Sequence, residues 1–433
     1  MFNPVRSRFS LAVGALFAVA ALPASAGPSV EDSLALSMSK GVRDRMFWNL
    51  SVISTKTKTK SEQPRDLTPE IVRISDLIDM KDQLAEDLLA RTGVDARLST
   101  NPVNLTGGGA AAVNVRNALQ TEQDFIDYYK IKYYGEPGAP GLTGIGLLDA
   151  ALVEDYGFES GAGYLTTPQG IRAKAGNPSS TVAMSVGYYL NDAHNWAVEA
   201  LVLGAPVRAT IQGAGTNDAG APNQLAGRDI IKTKMLPPIV KFGYYFGDRS
   251  WWARPYVGVG AMYTIFFDTK TTSYFDQYNG GTGKTSVSIK NAFGVGPFVG
   301  LESGDLSGWK VSLSVGRIKF STEATLVSRD TQFRTGDPAL LDYKETTGAA
   351  IEQGESLRTT ANNNATNAYR VKTGDASAVV NFMPNGFTTE LMRDLAAYKQ
   401  SQGEGDGSLG TFVRKQKSTL DNTLFMLSIG KNF

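Results

Sequence analysis

The side chains that most often perform nucleophilic or metal chemistry are nearly absent from this sequence. Its 433 residues include one histidine, His194, and no cysteine. A serine nucleophile needs a neighbouring base, and thiolate chemistry needs cysteine. His194 follows Asn191 and Asp192 in a turn-like stretch, so we interpret it as a solvated turn residue. The sequence therefore predicts no enzyme, no zinc or iron centre and no cofactor.

The glycine motifs do not form a nucleotide site. Gly283-Lys284-Thr285 resembles the end of a phosphate-binding loop, but Tyr278 stands where that loop requires a glycine. The pairs Gly258-x-Gly260 and Gly294-x-Gly296 fall inside strand-like segments that no helix follows. With 43 basic and 42 acidic residues, the chain carries no excess charge that would attract nucleic acid. We expect no nucleic-acid partner.

Four charged residues remain as candidates for a buried site: Glu199, Lys241, Glu302 and Lys310. In each case the neighbours two positions away are small or apolar, so the charge shares their face of an alternating segment. Charges on an enclosed face are costly unless they pair. We therefore expect the two acids and the two lysines to form one network.

The segments that carry these charges alternate apolar or aromatic residues with glycine, serine or charge, which predicts β-strands. Three connections are short and turn-rich, at 191–195, 247–250 and 303–308, and they alternate with longer ones. Short turns at one rim and long loops at the other predict an all-β fold, an eight-stranded antiparallel transmembrane β-barrel. The predicted strands are residues 46–57, 181–190, 196–212, 229–246, 253–270, 286–302, 309–326 and 420–433.

Both ends of the sequence fit an exported barrel. Arg6 and Arg8, the apolar run 11–22 and the small residues 24–26 predict a cleaved signal peptide over residues 1–26, with the barrel spanning 27–433. We expect the last residue, Phe433, to close the barrel within an interfacial aromatic girdle and to be recognised by the barrel-assembly machinery. The expected location is the bacterial outer membrane, with its lipid as a partner.

Three stretches carry a resemblance to a known family. They are Leu236-Pro237-Pro238, the run FGYYFGD at 242–248, and RPYVGVGAMYT at 254–264 with Phe266-Phe267 after it. Together they resemble the signature of the outer-membrane protein W (OmpW) family. The stretch 196–201 and the ending 425–433 are similar to that family as well. The resemblance covers the eight strands, and it implies eight-stranded barrels that pass small hydrophobic molecules, including alkane-uptake members.

Two long insertions depart from that pattern, residues 58–180 and 327–419, and both map to the extracellular rim. Helical spacing of apolar residues predicts helices from Thr68 to Gly93, from Thr121 to Tyr134 and over 388–400. The polar stretch 359–367 and the glycine-rich 403–407 predict mobile connections. The helices either pack together as a cap over the rim or present a partner-binding surface.

The strand pattern also predicts what lies inside the barrel. The charged network would plug the periplasmic end below an apolar vestibule, or it would simply fill the interior without a role in transport. Pro237 and Pro238 interrupt pairing, and they mark either a lateral exit or a bulge that adjusts curvature. We expect passive passage of small hydrophobic solutes with lateral release; the alternative is a barrel-anchored surface binding or structural protein. The predicted lumen residues are Leu203, Ile239, Tyr245, Tyr256, Met262, Phe266 and Phe298.

Overall fold

The computed structural model describes residues 40–68, 74–134, 168, 170–178, 180–217, 219–281, 283, 285–303, 308–331, 338–339, 342, 345–384, 387–404 and 411–433. The predicted signal peptide and most of the predicted glycine-rich linker lie outside these residues. Antiparallel pairing joins all the strands of the described part of the chain, which confirms the predicted antiparallel β architecture.

The strands are β1 (Met46–Ser61), β2 (Arg65–Asp66), β3 (Ile171–Ala175), β4 (Thr181–Tyr189), β5 (Trp196–Leu203), β6 (Val207–Gly215), β7 (Asp229–Leu236), β8 (Ile239–Tyr245), β9 (Ala253–Thr271), β10 (Ser286–Ile289), β11 (Ala292–Ser303), β12 (Trp309–Ser328) and β13 (Phe412–Asn432). The helices are α1 (Lys40–Arg43), α2 (Ile74–Thr92), α3 (Ala110–Ala118), α4 (Glu122–Tyr133), α5 (Ser273–Tyr278), α6 (Glu345–Thr373) and α7 (Phe387–Ser401). None of these helices is both long enough and apolar enough to cross a membrane.

Eight of the strands pair in a closed ring. Its order is β1, β4, β5, β8, β9, β11, β12, β13 and back to β1. At the closure Phe47 lies opposite Asn432, and the backbone N–H of Phe433 donates to the carbonyl of Met46 at 3.1 Å. A closed ring leaves no unpaired sheet edge, which is what a strand wall in an apolar medium requires.

Three predicted strands are each divided in two by the structure. The segments 196–212, 229–246 and 286–302 break between β5 and β6, between β7 and β8, and between β10 and β11. Proline lacks the N–H that a ladder needs, and Pro206, Pro237 and Pro238 lie at two of these breaks. Beyond the breaks β6 and β7 pair with each other, β7 also pairs with β9, and β3 joins β6.

The predicted insertion boundaries are wrong by several residues. β1 continues to Ser61, β13 begins at Phe412, and β3 lies inside the first predicted insertion. The predictions ended where the apolar alternation ends. The strand β1 continues because threonine and lysine alternate at 56–60. This alternation still fits a pleated strand with one face buried and one face exposed.

The two faces of the ring differ as an alternating pattern requires. Outward residues of β13 such as Leu427 are about half exposed, whereas inward residues such as Met426 are buried. The same contrast separates Val259 from Met262 on β9. An apolar outer face and a filled interior are typical of a small membrane-spanning barrel.

The helices of both insertions form one cap, defined here as helices α2 to α4, α6 and α7 with the described residues next to them. Apolar residues from both insertions and from the upper strands share a single cluster that includes Leu88, Phe125, Leu395 and Ile231. Ion pairs join the insertions, with Lys399 Nζ 3.1 Å from an Asp76 carboxylate oxygen. Of the two arrangements expected for the helices, the structure shows the packed cap.

The helix ends follow the sequence signals where they are described. Gly93 ends α2 with a positive φ of 75°. At the start of α4 the Thr121 side chain accepts the Asp124 N–H, and the Asp124 side chain accepts the Thr121 N–H. The predicted helix from Thr121 to Tyr134 is confirmed within one residue at each end, as is the helix predicted over 388–400.

The prediction of a mobile polar connection at 359–367 is wrong, because these residues lie within the long helix α6. Ala361, Ala365 and Ala368 recur at helical spacing and are completely buried in the cap cluster. Asn363 and Asn367 point to solvent. Small alanine side chains are weak signals of burial in a polar sequence, and tertiary packing decides the structure here.

Candidate functional site: the barrel interior

An aromatic layer fills the end of the ring that carries the short turns. Tyr245 and Tyr256 stack at 4.7 Å between ring centroids, and Phe47 packs on Tyr189 at 4.8 Å. Phe298 approaches Tyr256 edge-on at 5.9 Å. These five rings form one buried cluster with Ala197, which we call the aromatic layer. The predicted lumen residues Tyr245, Tyr256 and Phe298 therefore all lie at the turn end of the interior.

Two buried ion pairs are embedded in this layer. Lys241 Nζ lies 2.5 Å from Glu199 Oε2, and the two residues face each other in the register of β5 and β8. The other oxygen of Glu199 accepts hydrogen bonds from Asn49 Nδ2 at 2.9 Å and Ser185 Oγ at 2.5 Å. A buried carboxylate whose oxygens are all bonded retains its charge at lower cost.

The second pair joins Glu302 and Lys310, with Nζ and Oε2 at 3.2 Å. Lys310 also donates to Tyr189 Oη at 2.8 Å and lies 4.0 Å from the centroid of the Phe47 ring. No ion pair among the described residues links these two groups to Glu199 and Lys241. The expectation of one four-residue network is therefore wrong: the strand register separates the charges into two pairs, each held by its own polar and aromatic neighbours.

The structure adds a fifth buried charge, Arg254, which sequence reasoning missed. Its side chain donates to the carbonyl oxygens of His194 at 3.3 Å and Gly247 at 3.4 Å, and its guanidinium carbon lies 5.4 Å from the Tyr245 ring centroid. The sequence did contain a signal for it. Arg254 lies two positions before Tyr256 on β9, and residues two apart on a strand face the same side, here the interior.

His194 is not the solvated turn residue that its neighbours in the sequence predict. It is only 4% exposed, and its ring stacks on Tyr189 at 4.2 Å. Burial, followed by the cationic groups of Arg249, Lys310, Arg254 and Arg45, lowers the pKa of His194 to about 4. The ring is therefore neutral at physiological pH and seals the layer from below.

An apolar layer lies above the aromatic one. Leu203, Ile239 and Met262 are buried and pack with Ile53 and Met426 in one cluster. These side chains meet across the narrow interior, at the level where the sequence predicts an apolar vestibule. Phe266 lies at the upper edge of the cluster and is half-buried.

A cavity of about 70 Å³ lies between the apolar layer and the cap. Apolar side chains dominate its wall, and threonine, serine and amide side chains add a few polar groups, an arrangement typical of small-molecule sites. Its apolar lining belongs partly to the cap cluster and partly to the apolar layer, with Ile211, Ile231, Met235, Phe266, Phe320 and Leu420 as members.

The ring is interrupted beside this cavity. Pairing between β5 and β8 ends at Leu201 opposite Ile239, and pairing between β6 and β7 resumes at Val207 opposite Met235. Residues 202–206 and 236–238 thus face each other without a ladder, and we call this place the wall interruption. Pro238 still accepts the N–H of Tyr263 at 3.1 Å, so only the side towards β5 is open. Pro237 is buried and Pro238 is half-buried.

No group of three or more histidine or acidic residues in the described part of the chain could hold a metal ion. The polar side chains of the interior bond to one another within the aromatic layer. What the arrangement offers is a sealed lower end, an apolar cavity above it and a break in the wall beside that cavity.

A closed antiparallel ring with an apolar outer face and a packed interior defines a β-barrel protein. Residues 164–337 match the sequence profile of the OmpW family. Over these residues the chain is similar to the OmpW family.

Several known proteins are similar to this chain. Outer membrane protein W of Salmonella typhi is 36% identical over 96 residues, which are 22% of this chain and 43% of that protein. Outer membrane protein W of Vibrio cholerae serotype O1 is 32% identical over 152 residues, which are 34% of this chain and 63% of that protein. The chain thus spans about half the length of the curated relatives it matches.

Two solved structures also align with the chain. The crystal structure of OprG from Pseudomonas aeruginosa aligns with a TM-score of 0.34 and 16% identity over 61% of this chain and 82% of that one. The solid-state NMR structure of AlkL in lipid bilayers aligns with a TM-score of 0.33 and 13% identity over 95% of both chains.

Proposed function

We propose that this protein is an outer-membrane barrel that gives small hydrophobic molecules passive passage and releases them sideways through the wall interruption. The ring of eight strands is the membrane-spanning wall, and the cavity is a station on the solute's path. The observation that carries the proposal is the position of the apolar cavity next to residues 202–206 and 236–238, which form no ladder with each other; Met235 lines the cavity and directly precedes the second stretch.

Two further features support this route. The aromatic layer and its ion pairs fill the end of the ring at the short turns, so a solute in the cavity meets a closed floor. The relatives named outer membrane protein W support the outer membrane as the location. The cavity lining favours a hydrophobic solute, and its few hydroxyl and amide groups tolerate one small polar group.

The alternative, a surface-binding protein anchored by the barrel, predicts an exposed aromatic patch on the cap. The fully buried Phe125, Tyr128 and Tyr129 face the cap interior instead. The large exposed apolar residues among the described cap positions are scattered aliphatic side chains such as Leu98 and Val379. The structure thus favours the conduit.

The test is uptake of a radiolabelled medium-chain alkane by cells that carry no barrel, the natural chain, or a variant of it. Ala209 lines the cavity, so Ala209→Trp should fill it and slow uptake. Pro237→Val with Pro238→Val should restore pairing and also slow uptake. Pro297→Val is the matched control, because Pro297 already lies in a paired strand opposite Val259.

Alkane uptake should rise with the natural chain and with the Pro297→Val control, while uptake of a polar sugar stays at the level of cells without the barrel. Uptake that is blocked by Ala209→Trp but unchanged by the Pro237 and Pro238 variants would place the exit elsewhere. No acceleration by a correctly folded natural chain would refute the conduit function.

The proposal includes a role for Phe433 in assembly. Its N–H closes the ring against Met46, and the residue follows the last strand directly. Recognition of this aromatic by the barrel-assembly machinery predicts that Phe433→Ala lowers the yield of folded barrel in cells. Refolding of the same variant in detergent should be nearly unchanged, which separates recognition from stability.

A further inference from the structure

On β1 and β12, the two neighbours of β13 in the ring, the outward face changes from apolar to basic at the same level. Along β1 the outward residues are Trp48, Leu50, Val52 and Ser54, and then three lysines follow at alternate positions. On β12 the change falls between Val315 and Arg317. On β13 the outward residues at this level are Thr423 and Asp421, and Lys417 lies further from the short turns. We call these cations the basic patch; its members are Lys56, Lys58, Lys60, Arg317, Lys319 and Lys417.

The strand register brings the patch residues together. Thr423 on β13 lies opposite Lys56 on one side and Arg317 on the other. Two residues along, Asp421 lies opposite Lys58 and Lys319. The cations therefore stand in rows on both sides of β13, at the spacing of neighbouring strands, about 5 Å.

Most of these cations form no ion pair with an acidic residue in the part of the chain that the structure describes, and Asp421 is the acid that lies between Lys58 and Lys319. Arg317 pairs with Asp421 at 2.5 Å. The five lysines of the patch form no ion pair with any residue that the structure describes. On the far side of the ring the arrangement differs, since Lys234 and Lys270 share the carboxylate of Asp268 at 2.7 and 3.0 Å.

The level of the patch follows from strand geometry. Trp48 and Trp309 meet edge-on at 5.8 Å near the end with the short turns, as residues of an interfacial girdle do. Along strands that rise roughly 3.3 Å per residue at a tilt of about 40°, Lys56 lies about 20 Å and Lys60 about 30 Å above that girdle. An apolar band of about 25 Å ends between these levels.

We propose that the basic patch binds the phosphate groups of a phosphorylated lipid headgroup in the outer leaflet. The inference rests on the outer-membrane location given under the proposed function. Lysines supply mobile point charges, and Arg317 adds a planar donor that suits phosphate oxygens. Several unpaired cations at headgroup level match a lipid that carries more than one phosphate.

The patch also has a fixed place relative to the wall interruption. In the ring order β13 is four strands from β8 in either direction, so the patch and the interruption lie on opposite sides of the barrel. Lipid bound at the basic patch would therefore contact the barrel wall on the side away from the wall interruption. The wall interruption itself would carry no tightly bound headgroup.

The experiment measures binding of bis-phosphorylated lipid A to the refolded full chain in neutral detergent, with phosphatidylcholine and inorganic phosphate as reference ligands. The patch variant is Lys56→Gln with Lys58→Gln and Lys319→Gln. The matched control removes three lysines from the far side, Lys232→Gln with Lys234→Gln and Lys270→Gln. A third variant changes the three patch lysines to arginine, which retains the charge.

The natural chain should bind lipid A more tightly than phosphatidylcholine. The patch variant should lose roughly tenfold or more of that affinity, because each lysine near the headgroup contributes electrostatic attraction. The control and arginine variants should bind as the natural chain does. Equal loss in the control, or inorganic phosphate binding as tightly as the lipid, would overturn the inference. Alkane uptake by the patch variant separates the two proposals, because it depends on the cavity and not on the patch.

Discussion

Glu199 and Lys241 face each other inside the ring at 2.5 Å, on neighbouring strands and with side chains 8% and 9% exposed. The carboxylate is also bonded to Asn49 on β1 and Ser185 on β4, so it is held from three strands besides its own. A charge pair fixed in this way is a structural part of the closed end of the barrel. Removal of its charges should change both the stability of the barrel and its conductance of ions.

Loss of one partner of this pair should be costly. Lys241→Met leaves the Glu199 charge buried without its cation, which we expect to lower the free energy of unfolding by about 3–5 kcal/mol. The double variant with Glu199→Gln removes both charges and should recover most of that loss. Urea unfolding in lipid vesicles measures the difference. Lys232→Met, an exposed change outside the basic patch, is the control, and an equal loss in it would contradict the argument.

The two buried lysines of the aromatic layer, one from each ion pair, predict the conductance of the barrel. Lys241→Ala together with Lys310→Ala removes both lysines of the aromatic layer and opens space beside Phe298 and Phe47. We expect a higher ion conductance in planar bilayers than for the natural chain. Unchanged conductance in a folded double variant would count against a plug formed by this layer.

The glycines of the inner face should differ sharply in their tolerance of a methyl group. A Cβ on Gly300 would lie 2.3 Å from Cζ of Tyr256, whereas a Cβ on Gly260 would meet its nearest atom at 3.6 Å. Gly300→Ala should therefore destabilise the barrel by about 1–3 kcal/mol through overpacking, and Gly260→Ala should not. The measurement is gel electrophoresis after heating, which gives for each variant the temperature at which the band of the folded barrel shifts to the position of the unfolded chain.

His194 should make stability depend on pH in a defined window. Burial lowers its folded pKa to about 4 from the usual 6.5, so the folded state binds fewer protons between these values. Stability is then fully present above pH 6.5 and falls as the pH drops towards 4. His194→Asn removes the titration and suits the positive φ of 52° at this position.

The measurement is the unfolding midpoint of both proteins from pH 7 to pH 4. Carboxylates titrate in both chains, so the contribution of His194 is the difference between the two curves. The difference in unfolding midpoint between the natural chain and the His194→Asn variant should become smaller as the pH falls. Curves that remain parallel would show that the ring is not buried in its neutral form.

The alanine face of α6 should not accept larger side chains. Ala365 is completely buried against the cap cluster, while Asn363 on the opposite face is exposed. Ala365→Leu should destabilise the cap by about 1–3 kcal/mol, and Asn363→Leu should have little effect. Amide hydrogen exchange over α6 gives the measurement. Equal protection in both variants would mean that this helix does not pack as described.

Local patterns in the sequence predicted much of the architecture. Alternation assigned Glu199, Lys241, Met262 and Phe298 to the inner face, because side chains on a strand alternate strictly. The prolines at 237 and 238 predicted an interruption, since proline cannot donate to a ladder. The capping pattern at Thr121 located α4. These signals depend only on residues near each other in the chain.

Other features depend on residues far apart in the sequence, and only the tertiary structure decided them. Glu199 and Lys241 pair separately from Glu302 and Lys310 because the register of distant strands sets which charges meet. Tyr189 and Arg254 enclose His194, which its own turn could not show. The alanines of α6 are buried because the helices of another insertion cover them. The alternation in the sequence thus determined which face of the barrel wall a strand residue takes. The packing across the narrow interior decided which end of the barrel is closed by side chains and where a cavity remains.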